Sequence, residues 1–79
     1  MKRKARVLTA FGEALRKFRL DAGLSQEELA ARAELHRTYV GDVERGERNV
    51  SLVNMWKLSE ACSVKLSRLL REAEKDFEK

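Results

Sequence analysis

The sequence predicts an all-α fold of five helices, and three observations carry that expectation. The 79 residues contain no proline. Apolar residues recur at intervals of three and four along the chain, the period of a helix with one buried face. Gly23-Leu24-Ser25, Gly46 and Ser51 interrupt that period with residues suited to stop one helix and start the next. Few aromatics leave little of the composition that strands favour.

The elements follow in order. Residues 1–7 read as a basic arm (Lys2, Arg3, Lys4, Arg6). Helix 1 then carries Leu8, Phe11, Leu15 and Phe18 on one stripe and ends at Gly23, where a left-handed cap is cheap and Leu24 can fold back onto the last turn. Helix 2 opens on Ser25-Gln26-Glu27-Glu28, a capping box in which Ser25 and Glu28 satisfy each other's free backbone donors. Helix 3 is expected from Arg37 to Arg45, stopped by Gly46. The loop 45–49 (RGERN) is rich in groups that can meet phosphates. Ser51 caps helix 4, with Leu52, Met55, Leu58 and Cys62 as its inner face. A break near Ser63-Val64-Lys65 leads to helix 5, with Leu66, Leu69, Leu70, Ala73 and Phe77 on one side. Residues 66–79 thus form helix 5 and a tail expected to fray unless a partner holds it. The whole is one domain, 1–79.

The window 26–45 (QEELAARAELHRTYVGDVER) is the most informative stretch. Leu29, Ala30 and Ala33 make one short stripe, and after a short break past Leu35, Val40 and Val43 make a second. Helices joined by so tight a turn must cross steeply, and the small Ala30 and Ala33 let their backbones approach. This is the spacing of a helix-turn-helix, whose second helix is presented to the DNA major groove.

Val40 and Val43 fix the inward side of helix 3, so Thr38, Gly41 and Arg45 point outward with Arg37 and Asp42 flanking them. An arginine at the start of such a helix can donate two bonds to guanine, and a threonine can bond a base or touch a thymine methyl. Each good bidentate pair is worth about 1–3 kcal/mol of discrimination. Arg37 and Thr38 are therefore the expected base readers, with Asp42 as a third candidate. Asp42 has three readings: it accepts from a cytosine amino group, it repels phosphates and so sharpens selectivity, or it pairs with a neighbouring arginine. Gly41 either brings the helix closer to DNA or is simply tolerated at an exposed position. Gln26, at a helix N-terminus with free N–H groups, together with Arg45, Arg48 and Asn49, is expected on the DNA backbone. Tyr39 either packs at the core edge or passes its hydroxyl to a phosphate. Arg19 and Glu44 suit a partly buried ion pair that fixes helix 3 to the scaffold. Trp56 falls off the inner face of helix 4. With the long stripe of helix 5 (Leu66, Leu69, Leu70, Phe77), it is expected in a two-fold interface; packing within one chain is the alternative.

Charge and composition agree. Residues 1–20 carry seven basic groups and one acid, residues 21–50 four and seven, residues 51–79 six and five. The basic arm either touches DNA or only solubilises. The single Cys62 excludes an internal disulfide, suits a reducing cytoplasm and reads as core filler. No Cys/His cluster offers a metal site, no cofactor or small-molecule site is evident, no apolar run spans a bilayer, and no apolar segment follows the basic start as an export signal needs. His36, the only histidine, is expected to cap helix 3. With no triad, paired carboxylates or phosphate-binding glycine loop, the chain is not expected to be an enzyme.

Gly23-Leu24-Ser25-Gln26-Glu27-Glu28-Leu29-Ala30 and Val43-Glu44-Arg45-Gly46 resemble the phage-repressor/Cro-type (XRE-like) helix-turn-helix family over about residues 8–73. The resemblance implies a five-helix lambda-repressor-like DNA-binding domain. Within that family, His36-Arg37-Thr38-Tyr39-Val40 followed by Arg45-Gly46-Glu47-Arg48-Asn49 is similar to the controller proteins of restriction–modification systems. Those are dimers that bind palindromic operators, activating at low level and repressing at high level. The resemblance implies base readout by Arg37 and Thr38 with Asp42 in reserve, backbone clamping by Gln26, Tyr39, Arg48 and Asn49, and the Arg19–Glu44 bridge. One position departs: Glu34 stands in the turn where many members have glycine.

The function expected is thus a sequence-specific, autoregulatory transcriptional regulator, acting as a homodimer on an inverted repeat in double-stranded DNA. A phage-type repressor or antitoxin-like autoregulator is the neighbouring alternative, and a protein-interaction adaptor using the same fold is the alternative from another class.

Overall fold

The computed structural model describes residues 2–78; Met1 of the expected arm and Lys79 of the expected tail lie outside that range. Five helices and no strands make up the described residues: α1 Lys2–Asp21, α2 Gln26–Ala33, α3 Arg37–Glu44, α4 Leu52–Ala61 and α5 Leu66–Glu78. Their inner faces meet in one core whose largest fully buried apolar members are Leu15, Leu29, Val40, Val43, Leu58 and Leu69. No helix among the described residues is long and apolar enough to cross a membrane.

Local chemistry accounts for the boundaries. Ser25 Oγ accepts from the Glu28 N–H at 3.0 Å, while Glu28 Oε1 accepts from the Ser25 N–H at 2.8 Å, so the capping box closes. Its bonds, the one from the Ser25 backbone foremost, hold the Glu28 carboxyl below its ordinary value. Ser51 Oγ accepts from the Asn54 N–H at 3.1 Å at the start of α4. His36 occupies the position before α3 but makes no side-chain cap bond, so the expected cap there is backbone only. Gly46 leaves α3 at φ +79°, and a Cβ there would lie 2.8 Å from Thr9 Oγ1; the exit of α3 rests directly on α1.

Both chain ends depart from expectation, for one shared reason. Residues 2–7 are the first turns of α1 instead of a loose arm, and α5 runs to Glu78 instead of fraying. The guanidiniums of Arg3 and Arg6 sit 5.9 and 4.6 Å from the centre of the Phe77 ring, and Arg6 Nη2 donates to the Phe77 carbonyl at 2.8 Å. Lys17 meets Glu72 at 3.2 Å further along the same pair of helices. Each end supplies the tertiary contact that a short exposed helix needs, and cation–π attraction strengthens it.

Helix α4 is turned relative to its expected face. Met55 packs on the core and Leu58 and Cys62 lie within it, but Leu52 points to solvent, 60% exposed, beside Val53 and Trp56. Leu52 belongs to the first turn, beyond the end of the core. Burial raises the Cys62 thiol above its usual value, as befits a core residue.

The turn between α2 and α3 holds Glu34 at φ 59° and ψ 43°, the left-handed region. The N–H groups of Glu34 and Leu35 donate back to the carbonyls of Ala31 and Ala30 at 3.3 and 2.9 Å. An L side chain in this conformation costs about 1–2 kcal/mol, part of which glycine returns through its freer unfolded chain. Glu34→Gly is therefore expected to raise stability by about 0.5–1 kcal/mol, read as a higher denaturant midpoint at unchanged slope. A lower midpoint would mean that the Glu34 side chain itself stabilises the turn.

Candidate nucleic-acid interface

The interface is built on α3, and the core decides which way that helix faces. Val40 and Val43 are buried, so Arg37 and Thr38 stand on the exposed surface. No side-chain hydrogen bond or ion pair engages either of them among the described residues. They are free to meet a ligand.

Beneath them a polar ladder ties α3 to the scaffold. Arg19, buried near the end of α1, donates from Nε and Nη2 to the two carboxylate oxygens of Glu44 at 2.6 and 3.0 Å. Its third bond, from Nη1, reaches the Leu24 carbonyl at 2.8 Å. The hydrogen bonds to Glu44 raise the Arg19 guanidinium above its ordinary value, against the desolvation that opposes them. Gln26 adds a bond from Nε2 to Glu44 Oε1 at 2.9 Å. Every buried side-chain donor and acceptor among the described residues has a partner, the condition under which a buried pair fixes geometry without orphaned charge.

Gln26 is thus half-buried, with its amide nitrogen bonded to Glu44; the amide oxygen only accepts, so the second Nε2 hydrogen and the free backbone N–H groups at the start of α2 are the donors left for an anion. Gly41 is a second correction. It is buried, and a Cβ there would lie 3.2 Å from Arg45 Nη1 and 3.5 Å from Gln26 Oε1. The missing side chain leaves room for the Arg45 guanidinium, with the Gln26 amide in contact beside it, so Gly41 is not an open, solvent-facing position.

Asp42, the third candidate reader, is already engaged by side chains of the protein. Its carboxylate pairs with Arg45 Nη2 at 2.5 Å and with Arg48 Nε at 3.3 Å, and its side chain is only 19% exposed. Of its three readings, pairing with a neighbouring arginine is the one seen, twice over, with one guanidinium on each carboxylate oxygen. Arg45 also meets Glu47 at 3.4 Å. Arg48 lies with its guanidinium 5.3 Å from the centre of the Tyr39 ring, and Asn54 Nδ2 donates to the Tyr39 hydroxyl at 3.0 Å. Tyr39 therefore both packs on the core edge and presents an oriented hydroxyl. Asn49 is exposed and lines the edge of the apolar groove formed with α1, α4 and α5.

Two residues of the site escape local sequence patterns. Asn54 acts on Tyr39 from another helix. Gly12 admits α3 against α1: a Cβ on Gly12 would lie 2.6 Å from the Glu44 carbonyl oxygen and closer still to that of Val43. A glycine inside an amphipathic helix is the only signal in the sequence, and it does not name the neighbour.

The residues expected at a two-fold interface divide. Trp56 and Leu70 are exposed, and Leu52 and Val53 join Trp56 on the surface of α4. Leu69 is fully buried in the monomer and Leu66 packs against the core, so both support that surface from beneath. Phe77 is half-buried and covered by Arg3 and Arg6; packing within the chain, the weighed alternative, accounts for it. An open apolar groove of about 730 Å³, lined by Val7, Phe11, Met55, Leu70 and Phe77 among others, lies between α1, α4 and α5. Among the described residues no group of His, Cys, Asp or Glu is placed to hold a metal ion.

Comparison with known proteins gives a consistent result. Residues 15–69 match the family model described as helix-turn-helix. The control protein C.BamHI of Bacillus amyloliquefaciens is 51% identical over 61 residues, covering 76% of this chain and 75% of that protein. The control protein C.MunI of a Mycoplasma species is 46% identical over 67 residues, covering 84% and 90%. The crystal structure of the restriction–modification controller protein C.AhdI from Aeromonas hydrophila superposes with a TM-score of 0.77 at 53% identity, covering 78% of this chain and 94% of that one. An exposed outer face on α3, locked to its scaffold by the Arg19–Glu44 pair, and these likenesses lead to one conclusion: the chain belongs to the XRE-like helix-turn-helix family of DNA-binding regulators and, within it, to the restriction–modification controller proteins.

Proposed function

We propose that this protein is a cytoplasmic, non-enzymatic transcriptional regulator that binds an inverted-repeat operator as a homodimer and controls its own operon together with that of a restriction–modification system. The observation that carries the reading is the pair Arg37 and Thr38, exposed and uncommitted on the outer side of a helix that is otherwise locked to its scaffold. Preorganised donors on a rigid helix discriminate bases; donors on a mobile loop do so less well, because ordering them opposes binding. Arg37 reads guanine, Thr38 a neighbouring base, and Gln26, Tyr39, Arg45, Arg48 and Asn49 face phosphates.

The exposed Leu52, Val53, Trp56 and Leu70 support pairing of two copies, since a monomer rarely leaves a large indole among aliphatic side chains in water. Two copies related by a two-fold axis would present their α3 helices to successive major grooves about 34 Å apart. Occupancy then rises steeply with protein concentration, which suits a regulator that senses its own level.

Selection of binding sites from a randomised duplex pool tests the reading. The recovered sites are expected to be inverted repeats with half-sites about one helical turn apart. Arg37→Ala is expected to lose preference for the recovered site over a scrambled duplex by about tenfold or more per half-site, at the scale of one bidentate contact, while keeping weak salt-sensitive binding and its fold. A pool that yields no inverted repeat, or an Arg37→Ala variant that discriminates as well as the parent, overturns it.

A further inference from the structure

Among the described residues, Asp42 is the one acidic group of the candidate interface that engages two of its cations at once. Its oxygens are divided, Oδ1 to Arg45 and Oδ2 to Arg48. Both arginines are more than half exposed at the side chain, whereas the carboxylate between them is largely covered. The Arg48 guanidinium is further placed over the Tyr39 ring, which Asn54 orients, and Arg45 is seated in the space that Gly41 leaves. Two cations that could otherwise search for phosphate are thus held at fixed positions with much of their charge locally neutralised.

We propose that Asp42 is a specificity-determining positioning residue: it holds Arg45 and Arg48 back from phosphates until α3 docks in register, whereupon DNA phosphates take its place. This rests on the DNA-binding reading above. The physics favours an exchangeable clamp. Exposed ion pairs are weak and screened by salt, so a phosphate delivered at hydrogen-bond distance can displace the carboxylate. A phosphate that passes at random, with α3 out of register, meets a guanidinium already paired. The clamp therefore suppresses sequence-independent attraction more than it weakens the matched complex, which is discrimination by opposing the wrong partner.

The test compares the parent with Asp42→Asn by fluorescence anisotropy over a range of salt, using two probes: a duplex recovered by selection with the parent and a scrambled duplex of the same length and composition. The same pair is then compared in an Arg45→Ala/Arg48→Ala background, and thermal melts check that each variant is folded. Without the carboxylate Arg48 is freed and Arg45 keeps only its exposed contact with Glu47, so binding to the scrambled duplex is expected to tighten by about three- to tenfold at low salt and its salt dependence to steepen, by about 0.9 in log–log slope for each phosphate newly neutralised. Preference for the selected duplex is expected to fall by a similar factor. In the arginine-free background both changes should vanish.

Unchanged binding to the scrambled duplex, or an equal gain on both probes, overturns the proposal. So does a gain that persists without the two arginines, since that is the general effect of removing a negative charge. A parent that shows no preference between the probes defeats the DNA-recognition reading itself, a distinct outcome that the comparison separates from failure of the clamp.

Discussion

Glu44→Ala is expected to destabilise the protein by about 3–5 kcal/mol, the usual result of stripping one partner from a buried ion pair. The reason is what remains. Arg19 would keep one bond, to the Leu24 carbonyl, with its side chain 9% exposed, and Gln26 would lose its acceptor. A chain of this size has a total stability of about 4–12 kcal/mol, so a large fraction of the variant should be unfolded near physiological temperature. Chemical denaturation measures the loss. Replacing both partners by leucine is expected to recover most of it, because an apolar pair carries no desolvation penalty. The double variant should nevertheless bind DNA with lower selectivity, since the three bonds that now set the angle of α3 would be absent. If Glu44→Ala melted like the parent, the pair would be an ornament of the fold and not its anchor.

Gly12→Ala is expected to be the most damaging single methyl group that can be added to this chain. The added Cβ would lie 2.6 Å from the Glu44 carbonyl oxygen and nearer still to that of Val43. Both obstacles are backbone, so no side chain can swing aside, and α1 and α3 must separate. Overpacking of this kind costs about 1–3 kcal/mol and occasionally more, against a gain of about 1 kcal/mol in helix propensity. Because the contact is with main-chain atoms, the upper part of that range is expected, for a net loss of about 2 kcal/mol. Binding should suffer beyond the loss of stability, because the shift falls on the end of α3 that carries Glu44. Equilibrium denaturation gives the first quantity, and affinity of the folded fraction for a selected duplex gives the second. A rise in melting temperature would mean that propensity dominates and that the two helices do not approach as closely as described.

These effects bear on what can be read from a chain before its structure is known. The capping box at Ser25 and Glu28, the stop at Gly46, and the inward stripe of Val40 and Val43 are consequences of a few consecutive residues. Helical period and caps act over one or two turns, so the sequence carries them openly. The pairing of Arg19 with Glu44 was also within reach, because both sit beside apolar stripes that must face each other. Where expectation and structure part, the deciding contact joins residues distant in the chain. Arg6 and Phe77 hold two expected loose ends together as helices. Tyr39 is oriented by a donor on α4. Gly41 and Asp42 are the exception: their partners Arg45 and Arg48 are near in the chain, and what the sequence leaves open is where those long side chains come to rest. Leu52 faces outward because the core ends before the first turn of α4 does.

The sequence by itself determined the five-helix, helix-turn-helix architecture and which side of α3 faces the core, since periodicity and capping are local and the apolar stripe must be buried. Only the tertiary structure decided which charged groups on the opposite side are free and which are already paired. That distinction depends on where flexible charged side chains come to rest on the packed surface, and a side chain's charge is available to a ligand only when no neighbour has claimed it.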